Sequence, residues 1–388
     1  MSFSLFDNSH GHLLPAFCKP YPDELLSSWL ARLSFDHGLK IAVFHKLSLS
    51  KTTAHDWDVD RGISNKQIAM LAEQTNCSFE EVKHTALQHY YANRLFEPLK
   101  ASQSLERWTL PRSRISRTPP KSYYNSGLLF CPSCFSKHAD ERYYRKNWRL
   151  ITSLVCTDCG CYLMDYCPHC KKGVSYASKP IDTFYSKDVN VYVGTCEYCL
   201  KDMSDCEAEA APDSLIEIQK ELDALLENGP NDKDPESYFS VLYHFAALIA
   251  AGIIPGSVRN RMGSFIKDVF NIYGMFSGRF KGKLLVRQLP LKTRASIIRT
   301  IHWLLEEWPS RYIELCKKHG VNSAIVLTGF SNAPAWFREP IIANLTPYIH
   351  STNKSNPEEC TIMLKKNNFT RHEDNYDYDY EFCKTGSY

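Results

Sequence analysis

Four CxxC pairs constrain this chain more than anything else in it: Cys131/Cys134, Cys156/Cys159, Cys167/Cys170 and Cys196/Cys199. They belong to a run in which ten of the chain's 15 cysteines fall between Cys131 and Cys206. A CxxC turn presents two thiolates to one tetrahedral ion, so two such pairs close a structural zinc site and leave no position for water. The spacing decides how the pairs combine. Sequential pairing leaves 21 residues between Cys134 and Cys156 and 25 between Cys170 and Cys196, near the usual ribbon loop length. Joining the middle two pairs leaves only 7 residues, which is short for a ribbon hairpin. The expectation is therefore two consecutive four-cysteine zinc ribbons, each holding one zinc ion. An interleaved cross-brace remains compatible with the spacing. Cys161 and Cys206 are left over; each reads first as a small buried residue, with Cys161 a candidate for exchange with its neighbour Cys159 as a ligand.

A disulfide framework is the alternative use of clustered cysteines, and the remainder of the chain argues against it. With 388 residues, 44% of them hydrophobic and 13% aromatic, the chain is long enough to bury two or three cores without staples. The first 20 residues lack a basic leader and are interrupted by Asp7, His10 and His12, so they do not read as a signal peptide. The longest apolar run, Val241 to Ile254, contains Tyr243 and His244 and falls short of the roughly 18 residues a membrane span needs. These features place the protein in the cytoplasm, where thiols stay reduced and metal is preferred to disulfide.

Around the cysteine region the pattern is helical. Leu25, Leu26, Trp29, Leu30 and Leu33 recur at helical spacing in PDELLSSWLARLSFDHG, and Gly38 supplies a stop. Ser64 can cap NKQIAMLAEQT; Asn76 then turns the chain, and Ser78 with Glu81 forms a capping box before FEEVKHTALQHYY. Two helices joined by so tight a turn fit a helix-turn-helix, and ordinary helix packing explains them equally well. Residues 101–130 read as a loop-rich connector. Beyond Cys206 a charged helix precedes a break at 228–237, and further helical patterns follow around 236–251, 257–273, 291–306, 309–319 and 334–349. The expected organisation is mainly α with small β zinc ribbons: a helical, helix-turn-helix-like N-terminal domain over 1–112, tandem ribbons over 113–210, a helical C-terminal domain over 211–372 and an acidic, tyrosine-rich tail over 373–388.

The net charge of +3 chooses no partner, but its distribution is uneven. From Arg107 to Lys121 there are five cations and no acid, and from Ser257 to Arg294 nine cations against Asp268 alone. Such runs are solvated faces or nucleic-acid contacts. Arg112, Arg114 and Arg117 are the candidate residues for phosphate or an acidic partner, because the guanidinium fork matches such oxygens. Catalytic signatures are missing from the sequence: it has no HExxH, no HxE paired with PCxxC and no GxxxxGK[ST] phosphate loop. The residues alone thus describe a zinc-stabilised helical adaptor with no catalytic residues.

Three stretches together resemble the TniQ/TnsD family of transposition target-selection proteins. They are PYPDELLSSWLARLSFDHG, then LLFCPSCF with YYRKNWRLITSLVCTDCGCYLMDYCPHC, and ASIIRTIHWLLEEWPSRYIELC near the C-terminus. The central one is the specific one. It departs from the family pattern at Cys159, where a histidine is usual, and a thiolate serves there as well as an imidazole. The resemblance implies a non-catalytic adaptor that recognises a target and recruits an AAA+ ATPase, TnsC. The length is similar to that of the branch that docks as a homodimer onto a CRISPR Cascade complex with its guide RNA. Direct reading of attachment-site DNA and a zinc-ribbon transcription factor are the competing readings; a metal-dependent hydrolase is a third, disfavoured because no metal position is left open.

Overall fold

The computed structural model describes residues 13–39, 41–49, 58–92, 95, 101–110, 127–174, 192–228, 234–252, 264–266, 268–269 and 286–345. In chain order the described elements begin with helices α1 (Leu26–Asp36), α2 (Ile41–Leu49), α3 (Val59–Gly62), α4 (Asn65–Thr75), α5 (Phe79–Lys83), α6 (Leu87–Tyr90), α7 (Ala101–Trp108) and α8 (Pro132–Lys137). A two-stranded antiparallel sheet, β1 (Val155–Cys156) and β2 (Cys161–Tyr162), follows. Helices α9 (Asp213–Asn228), α10 (Pro235–Gly252), α11 (Leu291–Glu306), α12 (Ser310–Lys318), α13 (Ser323–Val326) and α14 (Ala335–Asn344) complete it. The protein is thus mainly helical around a small cysteine-rich β element. No described helix is long and apolar enough to cross a membrane.

The N-terminal helices form where local signals and burial agree. Leu26, Trp29, Leu30 and Leu33 lie on one face of α1 and are fully buried, against Phe44 and Leu49 of α2 and Ile68 and Leu71 of α4. Both capping boxes form, Ser64 with Gln67 and Ser78 with Glu81, and left-handed Asn76 ends α4. Helix α5 packs on α4 but is only five residues long and carries Glu80 and Glu81 in its first turn. Residues 101–108, expected as connector, are the helix α7 instead. Leu105 and Trp108 anchor it, the Trp108 ring meeting Phe239 at 5.5 Å and Tyr243 at 5.4 Å. The polar SQS at its start conceals a helix held by tertiary packing.

The PYPDE segment explains how α1 is joined to the cysteine region. Leu25 N–H donates to the Tyr144 carbonyl (2.9 Å), Lys146 N–H to the Asp23 carbonyl (2.8 Å), and Tyr144 N–H to the Ser28 hydroxyl (2.9 Å). Glu24 is fully buried and accepts from Ser28 Oγ, Tyr21 N–H and Arg32. Burial outweighs Arg32 and pushes its carboxyl up from the usual 4.5 to about 7. A folded value above the unfolded one means that the stabilisation is complete below pH 4.5 and lost as pH rises through 7. That interval corresponds to about 3 kcal/mol. The expected result is that wild-type stability, measured by urea unfolding, falls by that order relative to Glu24→Gln between pH 5 and 8; parallel pH profiles of the two proteins would refute it.

Buried residues from all three expected segments, from Leu87 through Phe130 and Leu154 to Leu345, share one cluster. Helix α9 packs on β1, and the Gln219 side-chain oxygen accepts from Leu154 N–H at 2.9 Å. Fully buried Arg294 of α11 donates to the Ile151 carbonyl at 2.6 Å. Trp148 is buried against Phe135 and Tyr144, and Phe245, Trp308, Tyr312 and Phe337 form an aromatic cluster between α10, α12 and α14. The expected helices at 236–251, 291–306, 309–319 and 334–349 are α10, α11, α12 and α14; of 257–273, only 264–266 and 268–269 are described, and they are helical. The tail at 373–388 lies outside the described residues.

Candidate metal centres

The eight paired cysteines fall into two tetrads. Cys131, Cys134, Cys156 and Cys159 have their sulfurs within 4.8 Å of one another, and so do Cys167, Cys170, Cys196 and Cys199. Sulfur separations of 3.6 Å from Cys134 to both Cys156 and Cys159, and of 3.7 and 3.6 Å for Cys167–Cys199 and Cys170–Cys196, describe the edges. A tetrahedral zinc with Zn–S bonds of about 2.3 Å has S···S edges of about 3.8 Å. Donor set and spacing therefore fit such an ion, and the all-sulfur set selects a thiophilic metal over a hard cation. The tetrads are sequential rather than interleaved.

Local backbone chemistry builds each corner. Cys131 is the N-cap of α8, its sulfur accepting from Cys134 N–H at 3.3 Å, with Pro132 following in the first turn. The other three pairs share one turn. Gly160, Lys171 and Leu200 each follow the second cysteine with positive φ (65°, 59° and 62°) and donate N–H to the carbonyl of the first cysteine at 2.9 Å. Glycine takes this conformation freely, whereas lysine and leucine are held in it by the turn. The last two pairs sit at the tips of minimal hairpins, with Cys167 N–H donating to Lys172 O and Cys196 N–H to Lys201 O.

Arg142 links the tetrads. It is buried, donates from Nε to the Phe135 carbonyl of α8 (2.6 Å) and from Nη1 to both Asp202 carboxylate oxygens (2.9 Å each). Although burial pushes the Asp202 carboxyl up, donors from Ser204, Tyr192 and Arg142 hold it below its usual range. Gly194, at φ 104°, runs so close that a Cβ there would stand 3.0 Å from Arg142 Nη1 and 3.2 Å from Phe135. Gly194→Ala is therefore expected to cost about 2 kcal/mol. In Leu200→Gly, relief of the left-handed backbone roughly cancels the added chain entropy, so a change within about 0.5 kcal/mol is expected. Denaturant midpoints distinguish the two, and equal losses would refute the assignment.

Crowding also sorts the thiols electrostatically. Hydrogen bonds from Cys131 and Cys134 pull Cys156 below the ordinary thiol range, while those with Cys134, Cys156 and Cys161 push Cys131 above it. Four thiolates this close repel one another and require a cation. His169 donates from Nε2 to the Asp202 carbonyl oxygen at 2.8 Å and lies outside both tetrads.

Arg112, Arg114 and Arg117 lie outside the described residues. Of the nine cations between Ser257 and Arg294, Arg287 pairs with Glu106 at 2.6 Å, Lys292 pairs with Glu209 and covers the Tyr162 ring, and Arg294 is buried on Ile151. These three serve the fold. What sequence reasoning missed is the buried ion pair of Arg149 with Asp58 and Asp60, and the approach of Cys161 to Cys131 at 3.5 Å. A local pattern signals neither.

The model of the TniQ family matches residues 15–163, from just before α1 through the first tetrad and past β2. No curated protein matches the chain. The second tetrad and helices α9 to α14 lie beyond the matched residues. The matched segment is the one in which the PYPDE turn, α1 and the first tetrad are locked together, and over it the chain is similar to the TniQ family.

Proposed function

We propose that this protein is a non-catalytic adaptor for DNA transposition, carrying one structural zinc in each tetrad and coupling target recognition to recruitment of the AAA+ regulator TnsC. The observation that carries the reading is the similarity to the TniQ family over residues 15–163, whose helical and cysteine-rich parts are joined by buried polar contacts into one platform. Filled tetrads supply folding energy and no reactive metal position. An adaptor needs separate, fixed surfaces, and such a platform keeps them at constant spacing. The target side is assigned to a CRISPR Cascade complex with its guide RNA, engaged by a homodimer, with Arg112, Arg114 and Arg117 meeting phosphate or an acidic surface.

Direct DNA reading by the α4–α5 pair is disfavoured by charge. In a helix-turn-helix the second helix meets the nucleic acid, yet α5 opens with Glu80 and Glu81. Hydrogen bonds from Ser78 and Lys19 hold the Glu81 carboxyl down to about 2, so it is anionic at any working pH.

The test is co-elution of the full-length protein with purified Cascade–guide RNA and, separately, with TnsC. Binding to both is expected, and Arg112→Ala/Arg114→Ala/Arg117→Ala should weaken one of them and flatten its salt dependence by up to about one unit of slope per lost contact. Tight, sequence-specific binding to attachment-site DNA without either partner, or DNA cleavage by the protein alone, would overturn the proposal.

A further inference from the structure

The first tetrad has a fifth sulfur. Cys161 opens β2, where its backbone is paired with Cys156 on one side and bridged to Ala210 on the other. Its Sγ lies 3.5 Å from Cys131 Sγ, as close as the tetrad sulfurs lie to one another. The side chain is buried, with Ser133 Oγ at 3.9 Å as its other polar neighbour. Cys161 is thus fixed in backbone, enclosed, and aimed at a single vertex of the tetrad. That vertex belongs to the residue 30 positions before it, not to Cys159, its neighbour in sequence.

We infer that Cys161 is a reserve ligand of the first metal site, taking the place of Cys131 when that sulfur is lost or dissociates. The inference rests on the proposal that zinc fills the tetrads. Rotation about χ1 between staggered positions carries a sulfur by roughly 3 Å. That is nearly the whole separation between the two sulfurs, and a small shift of the ion closes the remainder. No backbone movement is required, so the paired strands stay intact. Cys134, Cys156 and Cys159 have no comparable neighbour among the described cysteines, because Cys161 falls outside the group of mutually close sulfurs and meets the tetrad at Cys131. The site is therefore asymmetric: loss of one particular corner is tolerated, and loss of the others is not. The exchange is a substitution at the ion in which the Zn–S bond to Cys131 breaks and one to Cys161 forms; Cys161 gives up its thiol proton, the departing Cys131 thiolate takes one up, and no electrons are transferred.

Zinc content per chain, measured by elemental analysis on the monodisperse full-length protein, tests this. Wild type and Cys131→Ala should each hold two ions, while Cys134→Ala and Cys131→Ala/Cys161→Ala should each hold one. Two ions in wild type but one in Cys131→Ala would overturn the inference and leave the zinc proposal standing; no zinc in wild type would overturn the zinc proposal itself. Should Cys131→Ala fail to fold, zinc release to a chelator decides. Cys161→Ser keeps a hydrogen-bond donor of similar size but a poor zinc ligand, and should release the first ion about tenfold faster than wild type. An unchanged rate would make Cys161 a mere donor to Cys131 and sink the idea.

Discussion

Cys134→Ala is expected to leave the protein with one zinc ion instead of two and to lower its stability by on the order of 5 kcal/mol or more. Cys134 touches both partners across its tetrad, with sulfurs 3.6 Å from those of Cys156 and Cys159, and among the described cysteines no spare thiol faces it. Its loss removes a corner of a closed site and leaves three thiolates gathered without a full ligand set. The damage extends beyond the site, because Cys131, Cys134 and Cys156 belong to the same buried cluster as Trp148, Leu154 and Leu222. The second tetrad shares no residue with the first, so its ion should remain. Elemental analysis with thermal unfolding checks both parts. Simultaneous loss of both ions would mean that the sites fold as one; retention of both would mean that Cys134 is not a ligand.

The second large effect is expected at Arg149. Its side chain is buried, with Nη1 3.1 Å from Asp60 and Nη2 2.7 Å from Asp58. Asp60 is itself fully enclosed and accepts from Ser27 N–H (2.8 Å) and Ser27 Oγ (2.7 Å) at the start of α1. Arg149→Met keeps the apolar stem and removes the charge, leaving a carboxylate buried without its counter-ion. Breaking such a pair costs about 3–5 kcal/mol. Burial already raises the Asp60 carboxyl above its usual range, and without Arg149 to lower it the carboxyl rises further, so it is protonated more readily and the deficit of the variant should shrink as pH falls from 7 to 5. Asp60→Asn in the same protein should restore part of the loss. Urea unfolding at several pH values measures this, and a deficit that does not vary with pH would exclude Asp60 as the group responsible.

What could be foreseen divides by the range over which a residue acts. Ser64, Ser78 and Asn76 announce their helices because capping bonds span three residues, and the four CxxC pairs announce their turns for the same reason. Helix α7 was hidden: its first residues favour a loop, and it is held by Trp108 meeting Phe239 and Tyr243, far along the chain. The Arg149–Asp60 pair spans 89 positions and leaves no periodic trace. Cys161 is the most instructive case, because proximity in sequence pointed to Cys159 while the β hairpin turned its sulfur toward Cys131. In the basic block, the three described cations Arg287, Lys292 and Arg294 are each engaged in contacts within the fold, which composition alone does not signal.

The joining of α1 to residues 143–149 also sets an order of events during synthesis. Tyr143 donates to Asp23 across 120 positions, and the Lys146 ammonium to the Pro22 carbonyl across 124. At roughly 5–20 residues per second, the ribosome delivers these partners some ten seconds or so after the PYPDE turn has emerged. During that interval Glu24 has no enclosure and the first turn of α1 lacks the acceptor that Leu25 requires. The α1 end therefore cannot be completed until residues 143–149 have emerged, and a nascent chain stalled before Arg142 leaves that end unfinished.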